Sequence, residues 1–100
     1  MAGMAPSPGM DWTEDERAHI GRLETLCRSI DHWEMDCGFT DACDPWCVIY
    51  DRDEHRIVLH IARIDRRYVV VWPPRQRSVN TVTIEAAVDI ALAELVSNTS

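Results

Sequence analysis

The sequence predicts an α+β domain in which a three-stranded antiparallel sheet packs against two helices in the order αβββα. Apolar, strand-like runs lie at Trp46–Asp51, Arg56–Ile64 and Tyr68–Trp72, and only a few polar residues separate them, as in an antiparallel meander. Apolar residues at helical spacing lie on both sides of these runs. A chain of 100 residues is long enough for one domain with its own core. We therefore expect a disordered tail at residues 1–10 and a single domain at residues 11–97.

The first helix is predicted to begin near Thr13. Thr13 and Glu16 have the spacing of a capping box, in which each side chain accepts a hydrogen bond from the other residue's backbone N–H. Gly38 is a suitable residue to end the helix. One helical face is apolar, and its members are Ile20, Leu23, Leu26, Cys27, Ile30 and Trp33.

The connections between the later elements are short. The first hairpin loop is predicted at Asp51–His55 and the second near Asp65–Arg67, with two residues in the tight turn, although that turn lacks the usual glycine. Two prolines, Pro73 and Pro74, end the third strand. The second helix is predicted at Thr83–Val96.

The charge of the chain is acidic overall but unevenly distributed. The formal net charge is −7, and all 10 Lys and Arg residues are arginines. Most of the arginines after residue 55 lie on or beside the strands, so we expect the acidic first helix to lie near them and neutralise them. An arginine-rich surface for an acidic partner is the alternative.

The order αβββα is also that of double-stranded-RNA-binding domains, which makes duplex RNA an alternative ligand. Such domains bridge phosphates from a basic start of the second helix, and their affinity depends largely on counterion release. Here the segment Asn80–Glu85 carries no basic residue and the chain is acidic. We therefore expect no binding to nucleic acid.

The sequence shows no secretory signal, since residues 1–9 lack both a basic start and an apolar stretch. Its apolar runs are also too short for a membrane span. We expect a cytoplasmic protein with no membrane partner, in which cysteines stay reduced.

Four short segments are similar to a small family of uncharacterised alphaproteobacterial domains. They are Gly38–Asp41, Asp44–Trp46, His60–Asp65 and Tyr68–Val70, and together they cover about the central third of the chain. At Arg66 this chain departs from the glycine that such domains commonly have in the hairpin. The family has no known activity, so the resemblance implies no site residues.

Three cysteines and a histidine lie close together in the sequence, and they are the candidate ligands of a zinc site: His32, Cys37, Cys43 and Cys47. Structural zinc sites usually pair their ligands two to four residues apart, and Cys37 and Cys43 are farther apart than that. Small, buried thiols in reduced form are therefore favoured over a metal site. We expect a fold that needs neither metal nor disulfides, and no cofactor.

Alternation along the second and third strands divides their residues between two faces of the sheet. The face bearing Ile57, Leu59, Ile61, Tyr68, Val70 and Trp72 is predicted to pack under both helices. The second face is then left apolar, which favours an interface with a second copy or with another protein. Its predicted interface residues are Val58, His60, Ala62, Ile64, Val69 and Val71. A helix on each face is the alternative.

No known catalytic motif is present, since the chain contains neither a glycine-rich phosphate loop nor G-x-S-x-G nor H-E-x-x-H. The sequence therefore favours a non-enzymatic interaction or regulatory module. An enzyme or a small zinc protein would depend on the cysteine and histidine cluster.

Overall fold

The computed structural model describes residues 11–99, with side chains to residue 97, so the predicted tail at residues 1–10 lies outside the described residues. The predicted α+β class is confirmed, but the predicted order αβββα is wrong, because the described chain has five strands in one antiparallel sheet. The described chain therefore does not have the αβββα order of double-stranded-RNA-binding domains. The elements are α1 (Glu14–Arg28), β1 (Trp33–Phe39), β2 (Pro45–Asp51), β3 (Arg56–Ile64), β4 (Arg67–Trp72), β5 (Arg77–Thr81) and α2 (Ile84–Thr99).

Both helices begin at threonine caps. The hydroxyl of Thr13 accepts a hydrogen bond from the Glu16 N–H at 3.1 Å, and the Glu16 carboxylate accepts one from the Thr13 N–H at 2.7 Å. The predicted capping box is therefore confirmed. At α2, the hydroxyl of Thr83 accepts from the Ala86 N–H at 3.1 Å. These bonds satisfy backbone donors that the first turn of a helix leaves without partners.

The first strand was predicted as the end of the first helix, and this prediction is wrong. The helix ends at Arg28, and residues from Trp33 onward form β1, including Gly38. The physical reason is a change of period, because apolar and polar residues alternate singly here, which suits a strand and not a helix. β1 pairs with β2 over its whole length, from Trp33 opposite Asp51 to Phe39 opposite Pro45.

The fifth strand follows a short 3-10 turn at Pro73–Arg75. Gln76 adopts a left-handed conformation with φ of 50°, and β5 then runs back along β4. β5 is an edge strand with Val79 as its only aliphatic residue, so its sequence gave no strand-like hydrophobic run.

The turn between β3 and β4 has two residues, as predicted. Asp65 and Arg66 have φ of 54° and 67°. A two-residue turn with both φ values positive matches the right-handed twist of the hairpin strands.

Both helices lie on one face of the sheet, in agreement with the prediction. Helix α1 packs against α2 and β1, and α2 packs against β3, β4 and β5. The two helices and this face of the sheet share a single hydrophobic core. Its most deeply buried apolar members include Leu23, Cys47, Ile49, Leu59, Ile61, Val70, Trp72, Val88 and Leu95.

Candidate interaction surface

The sheet face opposite the helices, here called the outer face, is apolar across its three central strands. Residues opposite each other in an antiparallel pair lie on the same face, so the register identifies its members. They are Trp46, Val48 and Tyr50 of β2, Ile57, His60, Ala62 and Ile64 of β3, and Arg67, Val69 and Val71 of β4. Arg67, opposite Ile64, places a positive charge at one end of this face. Ile57 and Ile64 are 38% and 43% exposed. A solvated sheet face usually carries polar residues, and the outer face departs from that pattern.

Five of the six predicted interface residues lie on the outer face, and the sixth, Val58, does not. Val58 is 7% exposed and belongs to the core, whereas Ile57, which was predicted to face the helices, lies on the outer face. The cause is an irregularity in the β2–β3 pairing, where Ile49 faces Leu59 but Tyr50 faces Ile57. One extra residue in β3 forms a β-bulge, which exchanges the faces of the residues before it.

The outer face contains a shallow apolar groove of about 340 Å³. Its lining residues are Trp46, Val48, Ile57, His60, Val71 and Pro73. The indole of Trp46 lies over Gly38 of β1, where a Cβ atom would come within 2.6 Å of the ring. Gly38 therefore provides the space in which this indole packs.

His60 lies on the central strand of the sheet and in the wall of the groove. Its imidazole meets the Trp46 ring edge to face, with 6.3 Å between the centroids. Burial lowers the pKa of His60 below its ordinary value, which keeps the ring neutral. The groove therefore presents a neutral, mostly apolar surface at neutral pH.

The two edges of the outer face differ in charge. On β1, Glu34 lies opposite Tyr50 and Asp36 opposite Val48, so both acids share the outer face. On β5, Ser78 lies opposite Val71 and Asn80 opposite Val69, so this edge is polar and neutral. Apart from Arg67 at the start of β4, the outer face thus runs from an acidic edge through an apolar centre to a neutral edge.

The four candidate zinc ligands are not brought together. Cys37 and Cys47 face each other across β1 and β2 and form a disulfide, so the prediction that they are reduced is wrong. His32 lies 3.7 Å from the carboxylate of Asp51. Cys43 is an exposed thiol in the β1–β2 turn, so the prediction that it is buried is wrong. Among residues 11–97 no group of three or more His, Cys, Asp or Glu is placed to hold a metal ion.

The disulfide also bears on the predicted cytoplasmic location. Disulfides are rare in cytosolic proteins, where cellular reductants keep thiols reduced. The Cys37–Cys47 pair therefore weighs against that location. In the core, Cys27 is a free thiol whose pKa is raised by burial and by the nearby Glu24, so it stays protonated.

A second cavity, of about 680 Å³, opens beside the β2–β3 turn and is lined in part by His32, Asp51 and Arg56. The shielding of the Asp51 carboxylate from water would raise its pKa, but hydrogen bonds from the N–H groups of Glu54 and Asp53 outweigh it, and the pKa is lowered. Those bonds are 3.0 and 2.9 Å long and close the turn. Asp51 thus stabilises the turn that precedes β3.

A buried polar cluster joins α1 to the sheet, and no local sequence pattern predicts it. Glu16 of α1 and Arg63 of β3 form an ion pair at 2.5 Å, with side chains 2% and 4% exposed. The hydroxyl of Tyr68 donates to the other Glu16 oxygen at 2.5 Å. Burial is the main cause that raises the pKa of Tyr68, and this hydrogen bond raises it further, so the phenol stays protonated. The groups satisfy one another, which fits a structural role.

No protein-family model, curated protein or solved structure matches this chain. Within the described part of the chain, no helix has both the length and the apolar composition needed to cross a membrane.

Proposed function

We propose that this chain is a non-enzymatic protein-interaction module that forms a homodimer through its outer face. The observation that carries the proposal is the apolar outer face, which neither helix covers. Within the described residues, the most deeply buried charged side chains are those of Glu16, Arg63 and Asp51. Glu16 and Arg63 pair with each other, and the Asp51 carboxylate accepts a hydrogen bond within its own turn, so these groups have partners inside the chain. The outer face is thus the surface whose composition calls for a partner.

The outer face is large enough for a specific interface. Five strands spaced about 4.8 Å apart are roughly 24 Å wide, and six residues of strand extend for about 20 Å. The flat outline of two such faces is then roughly 1,000 Å², which meets the lower limit of about 1,000 Å² for a biological interface. Interdigitating side chains bury more surface than the flat outline.

An arginine substitution on the outer face tests the proposal. Val69→Arg places a charge beside Ala62, in the centre of the apolar surface, and we expect it to abolish the dimer because an unpaired charge is costly to bury. Val96→Arg is the matched control, since Val96 is 54% exposed on α2, on the other side of the sheet. Sedimentation equilibrium would measure the state of each protein, and circular dichroism would confirm that each is folded.

A dimeric wild type, a monomeric Val69→Arg and a dimeric Val96→Arg would support the proposal. A wild type that stays monomeric at roughly millimolar concentration would overturn it. This holds even if the outer face binds a different protein, because the proposal is a homodimer. Equal dissociation by both substitutions would also overturn it, because the effect would then not come from the outer face.

A further inference from the structure

We propose that the two-fold axis of this homodimer runs parallel to β3 and passes beside His60, so that β2 of each copy covers β4 of the other. This inference rests on the proposed function. It specifies how the two outer faces are oriented and which residues meet.

The register supplies the first argument, because the outer face is balanced about β3. One row of cross-strand partners runs Asp36, Val48, His60, Val71, Ser78, with His60 at its centre. A two-fold axis along β3 places Val48 over the second copy's Val71, and His60 beside the second copy's His60. Each aliphatic side chain of the row then meets an aliphatic side chain.

Side-chain size supplies the second argument. In the next row, Gly38, Trp46, Ala62, Val69 and Asn80 are partners in order across the sheet. The same axis places the large Trp46 over the smaller Val69 of the second copy. An axis running across the strands at His60 would instead bring Trp46 towards the second copy's Tyr50. Opposing large and small residues lets two sheet faces interdigitate.

Charge supplies the third argument and distinguishes the two axes. With the axis along β3, the acidic edge at Asp36 lies over the neutral edge at Ser78 of the second copy. With the axis across the strands, β1 lies over β1, so Asp36 faces the second copy's Asp36. Like charges opposed at an interface disfavour that arrangement.

Adding a positive charge at Ser78 tests the axis directly. With the axis along β3, Ser78→Arg gains two symmetric contacts with Asp36, one at each end of the interface. Because exposed ion pairs are weak, we expect the dimer dissociation constant to fall about two- to tenfold at low salt, and the gain to shrink at high salt. With the axis across the strands, the two introduced arginines would face each other, and the dimer would weaken.

The matched control is Thr25→Arg, which adds the same charge at an exposed position of α1, where the threonine hydroxyl donates to the Gly21 carbonyl. It changes net charge equally and should leave the dissociation constant close to that of the wild type. The double variant Asp36→Ser with Ser78→Arg should lose the gain. Sedimentation equilibrium at two salt concentrations would measure all four proteins.

A tighter Ser78→Arg dimer, with the gain absent from the control and from the double variant, would support the axis. If Val69→Arg still abolishes the dimer but Ser78→Arg equals the control or weakens association, the axis is overturned and the proposed function stands. A monomeric wild type would overturn both.

Discussion

Replacing Arg63 with methionine should destabilise the fold strongly, because it would leave the buried Glu16 carboxyl without its cationic partner. The Glu16 carboxylate accepts hydrogen bonds from the Thr13 N–H, from Arg63 and from the Tyr68 hydroxyl. Arg63 also donates to the Asp11 carbonyl at 3.3 Å and lies 5.8 Å from the ring of Trp12. Methionine fills much of the same volume but removes the cation. The residue it leaves behind, Glu16, is only 2% exposed.

The magnitude follows from burial. Removing one member of a buried ion pair costs about 3–5 kcal/mol, because the remaining charge is uncompensated. Tyr68→Phe removes a single charge-assisted hydrogen bond and should cost about 1.5–3 kcal/mol. Glu16→Met combined with Arg63→Met should cost less than the sum of the two single changes, because neither charge is then left alone.

Urea unfolding followed by tryptophan fluorescence would measure these differences. The control is Arg22→Met, which removes an arginine that pairs with Asp89 at 2.7 Å, with side chains 44% and 53% exposed. An exposed pair of this kind contributes about 0–1 kcal/mol. If Arg63→Met costs no more than Arg22→Met, burial is not what makes the cluster important, and the reasoning is refuted.

Three further predictions concern other parts of the fold. Reducing the Cys37–Cys47 disulfide should lower the free energy of unfolding by about 2–3 kcal/mol, because the loop it closes, with a sequence separation of 10, gains conformational entropy in the unfolded chain. Thermal melting with and without reductant measures this, and an unchanged Tm would contradict it. Arg66→Gly should raise stability by about 1 kcal/mol, because glycine adopts the φ of 67° without strain; a lower urea midpoint would contradict it. Because the pKa of His60 is lowered, the folded chain takes up a proton at this residue less readily than the unfolded chain does. The free energy of unfolding should therefore not depend on His60 above pH about 6.5 and should fall as the pH drops below it. His60→Gln should flatten that slope in urea titrations at pH 5 to 8, and an unchanged slope would contradict the prediction.

The sequence predicted those elements whose signal is local. The capping box at Thr13 and Glu16 and the turn at Asp65 and Arg66 involve neighbouring residues, and the structure contains both. The sequence does not predict the strand after α1, because Ile30 and Trp33 continue the helical spacing into the alternation that begins at Trp33. A test for a period of two would have found β1, but β5 has too few apolar residues for any such test.

The buried cluster could not be predicted, because it joins distant parts of the chain. Arg63 lies 47 residues from Glu16, and Tyr68 lies 52 residues from it. Each residue had an adequate local interpretation, Glu16 as a helix cap and Arg63 as one of several arginines on the strands. Only the packing of α1 on the sheet shows that one carboxylate serves both the cap and the ion pair.

The β-bulge shows why the outer face could be predicted even though one of its members was misplaced. From Ile57 to Ala62, β3 is apolar at nearly every position, so alternation alone cannot decide which residues face the helices, and the extra residue in the strand exchanged Ile57 and Val58. A near-continuous apolar run is typical of a strand that is buried on both faces. In this fold both helices lie on one side of β3, so a monomer leaves the other side uncovered. The composition of β3 therefore supports the proposed dimer interface on the outer face, whichever of the two residues belongs to it.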